Sequence, residues 1–197
     1  MCLKNINKIH KDLILEIENK VVVVTGGSGG IGQALAGTFI NENAKVVILL
    51  DINFDHFEPE NNNVISKICD VTDEKELIRI IDEINLEFGL IDIFCSNAGI
   101  LSLGNEQSSI DDWNKNWNLH VMSHVFAAKK LVPEMLKRGS GYFVNTSSAA
   151  GLLNHIDSVT YSTTKHAAIG FAEWIAITYG KQGIGVSILC PQAVETA

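Results

Sequence analysis

Tyr161 and Lys165 stand four residues apart in a stretch with helical spacing, so on a helix their side chains share one face a turn apart. A phenol, with a pKa near ~10, is a poor acid-base group at neutral pH on its own. An ammonium beside it favours the phenolate, and such a pair exchanges a proton with a substrate hydroxyl or carbonyl. Upstream, Ser148 follows the apolar run Gly141 to Ser147 and precedes Ala149, Ala150 and Gly151. If that run is a strand of a parallel sheet, Ser148 lies beyond its carboxyl end, where ligands bind in such sheets. Its hydroxyl then holds the substrate oxygen beside Tyr161, with Ser147 as the rival for that role. Tyr-x-x-x-Lys is common by chance, so the set needs support from elsewhere in the chain.

That support is a glycine loop. The run Val21 to Val24 leads into Thr25-Gly26-Gly27-Ser28-Gly29-Gly30-Ile31-Gly32, and a helical pattern from Gln33 to Ile40 follows. Glycines let a backbone approach a pyrophosphate, and the helix start behind them presents free N–H groups and a positive dipole end. Asp51 closes the next strand candidate, about 20 residues on, where an acid hydrogen-bonds ribose hydroxyls. A phosphate on that ribose would meet a negative charge. No Lys or Arg sits in the loop or just after Asp51, so NAD is expected over NADP.

The elements that must position these residues alternate along the chain. Strand candidates are Val21 to Thr25, Lys45 to Leu50, Asn63 to Cys69, Ile91 to Ser96, Gly141 to Ser147 and Gly185 to Cys190. Most are apolar throughout, as strands covered on both faces are. Helix candidates start near Gly30, Asp73, Ser109 and Ser158, with a turn or short helix after Asp51. Asp73, followed by Glu74 and Glu76, offers a cap and acids in the first turn. The alternation predicts a single α/β domain over residues 20–197, a Rossmann-type doubly wound parallel sheet with helices on both faces, behind a partly ordered leader, 1–19. The segment from Ala167 to Ile177 is apolar nearly all round, with Glu173 its only charge, which points to a second copy of the chain as cover and hence to a homo-oligomer.

The loop resembles the Thr-Gly-x-x-x-Gly-x-Gly motif of the short-chain dehydrogenase/reductase family, with Thr25, Gly26, Gly30 and Gly32 on the motif. Asp70 and Val71 resemble the family's adenine-contacting Asp-Val pair. Ser96-Asn97-Ala98-Gly99 resembles its Asn-Asn-Ala-Gly strand end, with Ser for the first Asn. Pro191-Gln192-Ala193-Val194-Glu195-Thr196 resembles its Pro-Gly-x-x-x-Thr stretch, with Gln192 for the Gly and Thr196 as the contact to the nicotinamide end. The likeness runs from about Asn19 to the last residue. It implies that Ser148, the second Ser of its pair, is the catalytic one and that Lys165 also binds the nicotinamide ribose. The implied activity is hydride transfer between a secondary alcohol or ketone and the nicotinamide, with Tyr161 as acid/base.

Two departures qualify this. The family's fourth catalytic residue is an Asn that helps hold a water linked to the Lys. Counting forward from Trp113 and back from Pro133, the matching position is His120, an imidazole able to bond a water in place of the amide, or else a plain helix-surface residue. Asn118, two residues off, falls on another side of the helix. His120 and His124 form a one-turn pair without a third ligand, so no metal is expected. The second departure is length: family members continue past the Thr into a seventh strand and a substrate lobe, which are expected to be missing here. The alternative to an active enzyme is therefore a shortened, weakly active or inactive NAD-binding protein acting through association.

Composition narrows the partners. Among 197 residues the formal net charge is -8 and no Lys/Arg cluster occurs, against nucleic acid. Nothing is long and apolar enough to span a membrane, and the first nineteen residues lack a signal-peptide core. Four cysteines (Cys2, Cys69, Cys95, Cys190) without paired spacing read as reduced and buried, in a cytoplasmic protein. The mostly apolar run Gly151 to Ile156 favours an apolar alcohol or carbonyl substrate.

Overall fold

The computed structural model of the protein describes residues 15–55 and 61–194. Six parallel strands, β1 (Val21–Thr25), β2 (Val46–Asp51), β3 (Val64–Ile68), β4 (Ile93–Ser96), β5 (Gly141–Thr146) and β6 (Ile184–Leu189), form one sheet in the order β3-β2-β1-β4-β5-β6. All six lie within a residue or two of the runs expected from the sequence. The helices are α1 (Gly30–Asn41), α2 (Glu74–Phe88), α3 (Ile110–Trp117), α4 (Ser123–Arg138), α5 (Ala150–Leu153) and α6 (Val159–Tyr179).

The apolar runs work because successive strand residues face opposite ways. Val21 and Val23 join Ile48, Leu50 and Phe143 in one core layer, which α2, α4 and α6 cover with Ile81, Leu131 and Ile175. Val22 and Val24 join Leu49, Ile93 and Cys95 in the other, covered by Phe39 of α1. Strand order reverses between β1 and β4, which opens a crevice beyond their carboxyl ends.

Helix signals read from the sequence have physical counterparts. The Asp73 carboxylate accepts from the N–H groups of Lys75 (2.8 Å) and Glu76 (3.2 Å) at the start of α2. Ser109 Oγ accepts from Asp112 N at 3.1 Å at the start of α3. The helix expected from Ser109 onward is not continuous: a π-helical turn, Asn118–Met122, separates α3 from α4. Such turns insert one residue into the hydrogen-bond ladder and recur at functional sites. Residues 52–55 after Asp51 form no helix, and 56–60 fall outside the described residues. The short α5, Ala150–Leu153, has no counterpart among the helix candidates. Of the leader, Leu15 and Ile17 pack against the second core layer, while 1–14 lie outside the described residues.

The apolar segment in α6 is buried on one side only: Ala168, Ala172 and Ile175 are buried, whereas Trp174 is 54% and Ile177 84% exposed. Trp174 packs edge-on to Tyr179, with ring centroids 5.7 Å apart.

Two glycines test the packing in opposite directions. Gly37, exposed on α1, has nothing within 4 Å of where a Cβ would stand. Gly37→Ala is therefore expected to add about 0.5–1 kcal/mol by restricting the unfolded chain and favouring helix, a rise of a few degrees in Tm. Gly183, before β6, has φ +91°, and a Cβ there would run into the Gly139 carbonyl. Gly183→Ala should lower Tm; thermal unfolding of the two variants checks both signs.

Candidate active site and cofactor cleft

Thr25, the last residue of β1, fixes the mouth of the crevice. Its hydroxyl donates to Cys95 O (3.3 Å) and accepts from the N–H groups of Asn97 (2.9 Å) and Ala98 (3.0 Å). Asn97 returns its amide to Thr25 O at 3.0 Å. Gly26 can take φ +66° and sit against β4 only without a side chain, because a Cβ would come within 2.8 Å of Ala98 Cα. Gly32 lets the first turn of α1 press onto the Gly26 carbonyl. The loop is thus drawn down between two strand ends, and α1 opens directly from it, its first-turn N–H groups lacking intrahelical partners.

At the end of β2, Asp51 lies beside this loop. Its Oδ2 accepts from Ser28 N (3.0 Å) and Ser28 Oγ (2.7 Å), and its Oδ1 from Ile52 N (2.7 Å). Asp51 is therefore also the acid that holds the glycine loop in shape, which the spacing did not reveal. Asp70 turns its carboxylate back onto Thr72, accepting from its N (2.9 Å) and Oγ1 (2.7 Å).

One cavity of about 920 Å³ runs from Asp51, Asp70 and Val71, past Gly26, Ser28, Gly30, Ile31 and Gly32, to Asn97, Ala98 and Gly99, and ends at Ser148, Tyr161, Lys165, Pro191 and Val194. Thr25, expected among the cofactor contacts, is buried and is not among the lining residues, because its hydroxyl is spent on the β4 end, and Thr196 is outside the described residues. The size is that of a cofactor or ligand pocket. Gly29 has only the Gly26 carbonyl within reach of a would-be Cβ, at 3.5 Å, so the loop presents an open backbone face. Asn97 Oδ1 is buried without a protein partner.

At the far end, α6 carries Tyr161 and Lys165. Lys165 is 3% exposed; its Nζ donates to Thr146 O at 3.0 Å and lies 5.6 Å from the Tyr161 ring centroid. Burial pulls its pKa down to about 8. The two serines after β5 have different tasks. Ser147 Oγ donates to Lys165 O (2.9 Å), tying α6 to the strand end. Ser148 Oγ accepts from Ala150 N (3.1 Å) and makes only a long 3.4 Å contact to Pro191 O, so it is the one whose hydroxyl is readily traded to a ligand. Gly151 permits this packing, since a Cβ would lie 2.5 Å from Ser147 Oγ and 2.8 Å from Lys165 O.

His120 is not on the helix surface: it is 0% exposed, in the π-helical turn. Its Nε2 accepts from Ile100 N at 3.1 Å, and its Nδ1 lies 2.9 Å from Thr164 Oγ1. Its ring meets that of Tyr161 edge to face, centroids 5.5 Å apart. Protein groups thus occupy both ring nitrogens, leaving neither for the water expected at this position. Thr164, Ile100 and Thr146 have no motif to mark them in the sequence, and Ser147, the rival to Ser148, ties down α6 instead. His124 is buried with Nδ1 unpartnered. Cys69 and Cys95 are buried and Cys190 half-buried, all free; burial first, then Glu76 and Asp70, pushes the Cys69 thiol up to about 12. Among the described residues no group of three or more His, Cys, Asp or Glu is placed to hold a metal ion, and no helix is long and apolar enough to cross a membrane.

A parallel sheet with this strand order, a glycine loop after β1 and an acid after β2 define a dinucleotide-binding α/β protein. The chain belongs to the short-chain dehydrogenase/reductase family, whose model, described as short chain dehydrogenase, matches residues 20–197. It is 34% identical over 184 residues to a rat protein named dehydrogenase/reductase SDR family member 6, covering 91% of this chain and 73% of that one. It is 31% identical over 188 residues to a meso-2,3-butanediol dehydrogenase of Serratia marcescens, covering 92% and 74%. A short-chain dehydrogenase/reductase from Burkholderia phymatum, solved in complex with NAD, superposes with a TM-score of 0.86 at 28% identity, covering 93% of this chain and 69% of that one. The fold is that of an oxidoreductase family with nicotinamide cofactors.

The buried histidines set the acid behaviour. His120 and His124 are both pushed down to about 3, by burial first and then by the Lys165 ammonium. Unfolded, each takes a proton near 6.5; folded, it does not. Their contribution is complete above about pH 6.5 and is lost as pH falls toward about 3, with a slope of up to about 1.4 kcal/mol per pH unit for each. His124→Leu should flatten the urea-unfolding stability profile between pH 6.5 and 4.5. Parallel profiles for variant and parent would show that His124 is not buried neutral.

Proposed function

We propose that this chain is an NAD-dependent dehydrogenase/reductase that interconverts an apolar secondary alcohol and its ketone, with Tyr161 as acid/base. The observation carrying the reading is that Ser148, Tyr161 and Lys165 meet at one end of the same cavity whose other end is the glycine loop and Asp51. NAD in that cavity would supply the hydride acceptor. Lys165, buried with its Nζ 5.6 Å from the Tyr161 ring centroid, sets its ammonium beside the phenol. Tyr161 Oη then takes the proton of the substrate hydroxyl as its carbon is oxidised, and returns it in reduction. Ser148 gives up its long contact with Pro191 to donate to the substrate oxygen.

Preference for NAD rests on Asp51, whose carboxylate keeps acceptor capacity beyond its three contacts, with no Lys or Arg among its cavity-lining neighbours Ser28, Gly29, Leu50 and Ile52. The apolar preference rests on Ile100 and Leu101, which line the cavity, and on exposed Leu152 and Leu153 just after Ser148. The exposed Trp174 and Ile177 of α6 support self-association, and the buried free thiols suit a reducing, cytoplasmic setting.

Against a panel of secondary alcohols, the purified chain should reduce NAD. Tyr161→Phe should lower kcat by about 10²–10⁴-fold, the usual worth of a general acid-base group, with NAD affinity little changed. Turnover that survives Tyr161→Phe would remove Tyr161 from the mechanism.

A further inference from the structure

His120 and Thr164 fix each other's protons completely. Ile100 N–H can only donate, so the Nε2 it reaches at 3.1 Å is unprotonated. The ring is 0% exposed and faces the Lys165 ammonium, the Tyr161 phenol and the His124 imidazole, so a second proton there is disfavoured. The one ring proton is then on Nδ1, and it is donated across 2.9 Å to Thr164 Oγ1. Thr164, also 0% exposed, sends its own proton on to Thr160 O (2.8 Å) or Tyr161 O (3.1 Å). No proton in this chain is free to leave, and none can be added to Nε2 without breaking the Ile100 contact.

We propose that His120 and Thr164 form a neutral clasp, locked in the Nδ1–H tautomer, that positions the Tyr161–Lys165 face of α6 against the strand-end loop at Ile100. The inference rests on the dehydrogenase reading for its effect on turnover, but not for its tautomer. Both are positioning residues: His120 reaches the loop after β4 and Thr164 lies on the turn of α6 between Tyr161 and Lys165, so the pair spans the substrate end of the cavity. The clasp excludes His120 as a proton carrier. It also separates an imidazole from an amide at this position: an Asn amide reaches only as far as Nδ1 does, so it can serve Thr164 but falls short of Ile100 N, which His120 meets through Nε2.

The test combines nitrogen NMR with kinetics. In the 15N-labelled full chain, His120 is expected to be neutral with the proton on Nδ1 from pH 5 to 8, the slowly exchanging Nδ1–H signal being lost in Thr164→Val and restored in Thr164→Ser. With turnover, Thr164→Val and His120→Asn should each lower kcat by about tenfold or more, as a small misplacement of reacting groups does, with KM for NAD changed by less than about threefold. The double variant should be no worse than either single one. A proton on Nε2, or titration near 6.5, overturns the clasp. A Thr164→Val chain with lower Tm but unchanged kcat overturns the positioning role. Absence of turnover in the parent chain would fell the dehydrogenase reading alone, because the nitrogen spectrum decides the tautomer independently.

Discussion

The Thr25 hydroxyl, shared between the end of β1 and the start of the loop after β4, is the contact on which the rest of the site depends. Two parallel strands whose connections run to opposite faces leave a gap at their carboxyl ends. Left to itself such a gap exposes backbone donors that must find partners. Thr25 and Asn97 supply them, and in doing so they hold the Gly26 turn down, aim α1 at the cavity and carry Ala98 to Ile100 over it. Asp51 then fixes the loop from the β2 side through Ser28. The cofactor end is therefore a consequence of sheet order and four side chains, Thr25, Asn97, Asp51 and Ser28, with glycine where backbones must meet.

The other end is organised by polar burial. Lys165, His120, His124 and Thr164 are all nearly inaccessible, an arrangement that costs stability unless each group is neutral or bonded. The molecule meets most of that cost with Thr146 O, Ile100 N and Thr164 Oγ1, and leaves His124 Nδ1 unmet. A site built this way trades stability for a fixed geometry, as functional sites do.

The strands were legible because β1, β2, β4 and β5 are apolar runs bounded by breakers, and period alone places Val22 and Val24 opposite Val21 and Val23. That the glycine loop, Asp51, Tyr161 and Lys165 line one cavity was legible from residue type and spacing, whereas the choice of Ser148 over Ser147 came from the family resemblance. The π-helical turn at His120 was not, since no propensity distinguishes a one-residue insertion in a helix from the helix itself. The role of Thr164 was hidden for a related reason: its partner is 44 positions away, and sequence spacing says nothing about contacts across that distance. Neither reading of His120, as a holder of water or as a helix-surface residue, anticipates its burial, which depends on Thr164 of α6 packing against it.

The central claim is that this cleft holds NAD through Asp51 and the glycine loop. The most direct measurement is isothermal titration calorimetry of the chain with NAD and with NADP under identical salt. The account predicts one NAD per chain, with NADP weaker by about tenfold or more because its extra phosphate meets Asp51, roughly the 1.4 kcal/mol of a lost charged hydrogen bond. No binding of either, or NADP binding as tightly as NAD, would contradict it.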